Sequence, residues 1–356
     1  MSVIKTKILL TGGGTGGSVA PLLALADELG FENFKFLWVG TRRGIEKQMV
    51  SKENIRFKAI ASGKLRRYFS LRNLIDPLFI IIGFIQSFFI ILKYRPNWII
   101  TAGSFVSVPV VWAGWILRRR ILVHQQDVRP GLANLLMAPF ANQVTVTFEK
   151  SLADYSKKAT WIGNPTHIVK THCNASHTHA SHFNLKKNLL TILVLGGGTG
   201  SLFINKLVTE SKKELSKIAQ TIHVTGKNRA LAEINNSDNY FAYEFLDFSQ
   251  MQEAYQRADI VVSRCGMSTL TELSCYQKPA ILIPIPDTHQ IDNARIFEEY
   301  SAAVVLDQPV LEKTFFLKKI KELLTDEELQ QQLSANISKI IKKNASQELA
   351  KIIKMK

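Results

Sequence analysis

Leu9-Leu10-Thr11-Gly12-Gly13-Gly14-Thr15-Gly16-Gly17-Ser18 and, later, Leu193-Val194-Leu195-Gly196-Gly197-Gly198-Thr199-Gly200-Ser201 repeat one pattern. Each begins in a short apolar run that reads as a buried strand. Each ends in a helix, opening near Pro21 in the first case and near Phe203 in the second. Glycines at such a junction let the backbone turn sharply and approach a ligand closely, and the helix N-terminus offers N–H groups to an anion. Neither is a Walker A phosphate loop, because no Gly-Lys-Ser or Gly-Lys-Thr follows. Neither fits the dinucleotide fingerprint cleanly, because no acid stands at the tip of a second strand about 20 residues on. Two such turns predict an α/β chain of two Rossmann-like domains facing across a cleft lined by both loops.

The flanking sequence agrees. Lys7–Leu10, Phe36–Val39, Trp98–Thr101, Ile121–His124 and Val144–Thr147 read as strands separated by helical spacing or turn signals. Thr191–Leu195, Thr221–Val224, Ile260–Ser263 and Ala280–Ile283 repeat the alternation, which predicts parallel sheets covered by helices. A length of 356 residues suits about two domains. The expected division is a first domain at 1–165, a linker at 166–185, a second domain at 186–335 and a C-terminal helical segment at 336–356. The linker contains Thr171–His182 and, with His167, five of the eight histidines. Their spacing, with Cys173 among them, matches no structural zinc pattern, so a polar surface linker is the reading. Three scattered cysteines suit a reducing compartment, and the N-terminus carries no secretory pattern.

Residues 1–165 hold 22 Lys and Arg against 9 Asp and Glu, and the remainder holds 23 against 20. The basic excess of the first half implies an anionic partner there, either nucleic acid or a membrane surface. Lys64, Arg66, Arg67 and Arg72 precede the 19-residue stretch Leu74–Leu92, and Lys93 and Arg95 follow it. An apolar face with cationic flanks reads as a membrane-surface segment. A buried helix and a true span are the alternatives, the span weakened by Asp76, Pro77 and Gln86. No nucleic-acid-binding module is present, so nucleic acid is not the expected partner.

Three further strand ends carry candidate chemistry. His124-Gln125-Gln126-Asp127 follows a strand, where polar residues meet ligands in parallel sheets, and Asp127 is the best carboxylate for a general base. Met267, Ser268 and Thr269 open a helix that can hold phosphate oxygens, and Glu272 can accept two hydrogen bonds from a ribose diol. The plainer reading of Glu272 is an acid that stabilises a helix start. His289 and Gln290 can bind sugar hydroxyls, or lie on the surface. No Asp-x-Asp pair occurs, so neither a metal-chelating sugar-nucleotide site nor any cofactor is expected.

As an ordered set these residues resemble the bacterial MurG family. Its members move N-acetylglucosamine (GlcNAc) from UDP-GlcNAc to lipid I, a lipid-linked muramoyl-pentapeptide, making lipid II for peptidoglycan. The matching residues are the Gly13–Gly17 loop, Thr101–Ser107, the His124 tetrapeptide, Gly163-Asn164-Pro165, the second glycine loop, Arg264 and Gly266 through Glu272, and His289-Gln290 with Asn293-Ala294. The resemblance implies a GT-B fold, metal-free inversion at the anomeric carbon, and a C-terminal helix returning to the first domain. It implies acceptor contacts at Gly14, Gly16, Gly17, Ser104 and Asp127. It implies donor contacts at Thr15, His167, Gly198, Thr199, Leu246, Met267, Ser268, Thr269, Glu272, His289 and Gln290, and catalytic positions at Ser18, His124 and Asp127. It also implies docking of 64–95 on the cytoplasmic face of the inner membrane.

The chain departs from the family pattern at Ser18, usually His, and at Gln125 and Asp127, usually Glu and Asn. His167 is usually Arg, and Gly198-Thr199 usually Ser-Gln. The acid has thus moved two residues along, which makes Asp127 the expected base for the muramoyl 4-hydroxyl. The alternatives are a related GT-B enzyme with a diacylglycerol or polyprenyl-linked acceptor, and a weakened or silent homologue.

Overall fold

A computed structural model describes residues 5–63, 72–167, 182–198, 200–227, 229, 236–237 and 239–355. The chain divides into two compact units, Met1–Val169 with Lys342–Lys356, and Lys170–Ile341.

The first unit is a seven-stranded parallel sheet. In chain order its strands are β1 Thr6–Thr11, β2 Phe34–Gly40, β3 Arg56–Ala59, β4 Trp98–Thr101, β5 Arg120–Gln125, β6 Gln143–Val146 and β7 Ala159–Trp161. Their spatial order is β3-β2-β1-β4-β5-β6-β7, so the winding reverses between β1 and β4. Ligands of open parallel sheets bind at the carboxyl ends beside that reversal. The central strands are buried on both faces, which is why they read as unbroken apolar runs. Helices α1 Ala20–Leu29, α2 Glu46–Ser51, α3 Arg72–Tyr94, α4 Ser107–Ile116 and α5 Leu132–Met137 link them. Pro21 in its first turn suits the start of α1, and Gly30 at φ +78° ends it.

The second unit is a six-stranded parallel sheet of β8 Thr191–Leu195, β9 Gln220–Val224, β10 Tyr240–Tyr243, β11 Ile260–Ser263, β12 Ala280–Leu282 and β13 Val304–Val305. Its order, β10-β9-β8-β11-β12-β13, puts the reversal between β8 and β11. Helices α6 Leu202–Glu210, α7 Lys212–Ile218, α8 Phe248–Arg257, α9 Met267–Tyr276, α10 His289–Glu299, α11 Lys313–Thr325 and α12 Glu327–Ile340 complete it.

The last of the described helices, α13 Ala345–Lys354, belongs to the first unit. Leu349, Ala350 and Ile353 join Leu22, Leu25 and Leu29 of α1 in one core. Its approach is tied by Thr166 and Ser346, whose backbone and hydroxyl exchange hydrogen bonds of 3.1 and 3.2 Å, and by Lys342 Nζ donating to the Trp161 carbonyl at 3.1 Å. Gly163, at φ +88°, makes the crossing possible, since a Cβ there would lie 2.3 Å from the Lys342 carbonyl oxygen. The sequence boundary at 336 therefore falls inside α12, and the change of unit comes after Ile341. Leu333 holds α12 to the second core. Likewise, Thr166 and His167 stay with the first unit. Of the expected linker, 168–181 lies outside the described residues, with Cys173, His172, His177 and His179. Its far end is not wholly solvated: Phe183 is buried edge-on to Tyr243, and His182 Nδ1 lies 2.9 Å from Glu253 Oε2.

Candidate active site

In the first unit, the loops after β1, β4 and β5 lie side by side because those strands are neighbours. The glycine loop is held from several directions. Trp38 Nε1 donates to the Gly12 carbonyl at 3.1 Å. The Gly13 carbonyl accepts from Ser18 Oγ at 3.2 Å and from Ser104 Oγ at 2.8 Å. Gly14 N–H donates to Glu46 Oε2 at 3.1 Å, and Glu46 Oε1 accepts from the Thr41 N–H at 2.7 Å and from its hydroxyl. Gly14 and Thr15 are exposed, Gly16 and Gly17 half-buried.

At the end of β5, Gln125 is locked by donating to the Asp127 carbonyl at 2.8 Å while accepting from Tyr155 and Asn134. Asp127 stands half-buried just past it. The structure thus brings Gly14, Gly16, Gly17, Ser18, Ser104 and Asp127 to one end of one sheet.

Two expected positions are placed otherwise. His124 is fully buried, with Nδ1 3.0 Å from Thr145 Oγ1 and Nε2 3.2 Å from Asn164 Oδ1, and burial holds it down at about 4. It is a neutral imidazole joining β5, β6 and the Asn164 turn, and offers no accessible nitrogen to a substrate. His167 lies in the first unit with Nδ1 3.7 Å from Asp27 Oδ2, toward the far end of α1 from the glycine loop. Ser18, with its hydroxyl also 3.3 Å from the Thr15 carbonyl, ties the loop rather than presenting a base.

In the second unit, β8, β11 and β12 are neighbours, and their carboxyl ends carry the second glycine loop, Arg264–Gly266 and Pro284–Gln290. Arg264 knits them. Its Nε donates to Ser201 Oγ at 3.0 Å, and its Nη1 to the carbonyls of Ile283 at 2.9 Å and Pro284 at 3.2 Å. These partners are neutral, the side chain is 5% exposed, and burial lowers its pKa. A buried cation among neutral acceptors makes this end of the sheet favourable to an anion. Gln290 adds a second tie, its Oε1 accepting from Cys265 N–H and Ile285 N–H, each at 3.2 Å. Met267 and Thr269 are buried at the start of α9, whereas Ser268, Gly198 and His289 are exposed. Thr199 lies outside the described residues. Leu246 is buried just before α8, whose N-cap Asp247 forms a capping box with Gln250.

Glu272 is half-buried one turn into α9, where Tyr255 of α8 donates its hydroxyl to Oε2 at 2.8 Å. Tyr276 stacks on Tyr255 with centroids 4.8 Å apart. Burial pushes Glu272 up to about 7, against the lowering effect of the Tyr255 bond.

Sequence reasoning missed the roles of Glu46, Tyr255 and the Arg264 side chain. For Glu46 a signal existed, an acid six residues beyond the β2 tip, but it lies outside the fingerprint's position.

The Glycosyltransferase family 28 N-terminal domain matches residues 8–146, and the family's C-terminal domain matches residues 191–352. The UDP-N-acetylglucosamine–N-acetylmuramyl-(pentapeptide) pyrophosphoryl-undecaprenol N-acetylglucosamine transferase of Clostridium tetani is 35% identical over 330 residues, 91% of this chain and 92% of that protein. The Bacillus cereus transferase of that name, numbered 2, is 36% identical over 329 residues, covering 91% and 93%. Among solved structures, Acinetobacter baumannii MurG superposes with a TM-score of 0.78 at 21% identity, over 99% of this chain and 100% of that one. The S. aureus MnaA–UDP co-structure gives 0.71 at 16%, over 98% and 96%. The fold is that of the GT-B glycosyltransferases, and the chain belongs to the MurG family within glycosyltransferase family 28.

Proposed function

We propose that this protein transfers GlcNAc from UDP-GlcNAc to lipid I, forming lipid II. The carrying observation is identity of 35–36% over about nine-tenths of the chain to proteins named for that transfer. In the reaction, the muramoyl 4-hydroxyl oxygen attacks the anomeric carbon, the bond from that carbon to the diphosphate oxygen breaks with its electron pair, and UDP leaves. The hydroxyl proton passes to a base, and the configuration inverts.

Asp127 takes that proton. What supports it is a carboxylate just past the carboxyl end of β5, at the same end of the sheet as the glycine loop, where His124 is buried inside the protein and Ser18 ties the loop. The first glycine loop receives the acceptor's pyrophosphate. The second loop, Arg264 behind it, and the α9 start receive the UDP diphosphate, with Glu272 on the ribose diol, Leu246 by the uracil, and His289 and Gln290 on the sugar. No metal or cofactor takes part in this scheme, so transfer survives EDTA.

The protein docks peripherally on the anionic cytoplasmic face of the inner membrane through α3. By length and composition α3 is able to cross a bilayer. Its packing favours the surface mode: Asp76, Gly83, Ser87 and Ile91 face inward, while Leu78, Phe79, Ile81, Ile85, Phe89 and Leu92 are exposed. Trp115 and Ile116 of α4 extend the apolar surface, with Arg118 and Arg119 just beyond. A helix that links two strands of one sheet stays with that sheet. Lys64, Arg66 and Arg67 lie outside the described residues. Phe89→Glu is expected to reduce flotation with anionic vesicles several-fold.

The deciding experiment is radiolabel transfer from UDP-GlcNAc to a short-chain lipid I analogue in detergent, beside a diacylglycerol acceptor. Label in the lipid I product supports the proposal. Label only in the diacylglycerol product, or in neither, overturns it.

A further inference from the structure

The Gly13 carbonyl and the Gly14 N–H belong to one peptide unit, and that unit is gripped at both ends. Its oxygen accepts from two serine hydroxyls, Ser104 at 2.8 Å and Ser18 at 3.2 Å. Its N–H donates to Glu46, whose residue is fully buried and whose other oxygen is fastened to Thr41. A flip of this peptide would aim the carbonyl at an acidic side chain and leave all three bonds unmade. Gly14 sits at φ +83°, and a Cβ there would meet the Phe105 ring at 3.0 Å. Ser104 is at φ +139°, a conformation natural to glycine and costly for serine. What serine adds over glycine at this position is its hydroxyl, which binds the Gly13 carbonyl.

We propose that Ser104, together with Glu46, is a positioning residue for the acceptor: it fixes the Gly13–Gly14 peptide so that the rest of the loop, Thr15 to Gly17, meets the lipid-linked pyrophosphate in one conformation. This rests on the assignment of the first loop to that pyrophosphate. The strain at Ser104 and the grip on the peptide stand independently of it, so the two are separable by experiment.

The test uses the full chain and the variants Ser104→Gly and Glu46→Gln. Ser104→Gly removes the hydroxyl and relieves the backbone, so the melting temperature holds or rises, whereas a serine kept for stability would lower it. Amide hydrogen exchange over residues 12–18 is expected to quicken about tenfold. The KM for the short-chain lipid I analogue is expected to rise about five- to thirtyfold, with the UDP-induced thermal shift and the KM for UDP-GlcNAc unchanged. Glu46→Gln, which keeps shape but changes the acceptor at the N–H end, moves the same two readouts in the same direction. Unchanged exchange in both variants overturns the grip. Faster exchange with an acceptor KM within twofold of wild type overturns its purpose. If wild type transfers nothing to lipid I, the assignment of the acceptor falls, and with it the positioning role. The exchange data then decide the grip alone.

Discussion

The turns after β1 and β8 use nearly the same residues, yet an acid stands behind the first and a cation behind the second. Glu46 takes the Gly14 N–H for the protein itself, whereas Arg264 is buried among neutral acceptors at the edge of the Gly196–Ser201 loop. A glycine-rich turn therefore supplies shape and N–H groups, and the side chain underneath decides how strongly charge is welcomed. In the proposed reaction the acceptor's pyrophosphate keeps its charge throughout, while the diphosphate of UDP gains charge as its bond to carbon breaks. Only the second needs an interaction that strengthens in the transition state, and that is where the cation sits.

The comparison is most exposed on the acceptor side. Asp127→Asn is expected to lower kcat about 10²–10⁴-fold with the KM for UDP-GlcNAc unchanged. Transfer within about threefold of wild type would remove Asp127 as the base. Next comes Arg264→Met, for which steady-state transfer should fall about 10²–10³-fold and the thermal shift caused by UDP should disappear. An undiminished shift would erase the contrast between the loops.

Within the second loop, Gly200→Ala places a Cβ 2.3 Å from the Thr225 carbonyl at φ +74°. It should cost about 1–3 kcal/mol in chemical denaturation. Gly198→Ala meets nothing within 4 Å and should cost less than about 0.5 kcal/mol. A further effect is in pH. Glu272 is pushed up to about 7, and in the proposed donor site its ionised form is the one that accepts hydrogen bonds from the ribose diol. Protonation on descending through pH 7 removes that acceptor, so the KM for UDP-GlcNAc should rise as pH falls, by about tenfold per unit at most. A flat profile between pH 8 and 6 would detach Glu272 from the donor.

The strands missing from the sequence reading are β3, β7, β10 and β13, which are the two edges of each sheet. Edge strands are half-solvated and short. Arg56-Phe57-Lys58-Ala59 carries no unbroken apolar run and β13 is only two residues long, whereas Thr191–Leu195 is longer and buried throughout. The site was legible where it follows a central strand, because glycine, histidine and acid mark those strand ends directly. Glu46 and Tyr255 were not legible in the same way. Glu46 reaches Gly14 across 32 residues of chain and Tyr255 reaches Glu272 from a different helix, contacts that only packing creates. His124 shows the converse, a polar residue of a strand-end motif that points into the protein.

The return of α13 to α1 sets an order on biosynthesis. The groove on α1 is translated at the start, but Leu349, Ala350 and Ile353 emerge only after the whole second unit. At about 5–20 residues per second the apolar face of α1 waits on the order of fifteen to sixty seconds for its partner. A nascent first unit therefore exposes that apolar face until α13 leaves the ribosome, and ribosomes stalled within the second unit leave a first domain that is lacking one wall of its core.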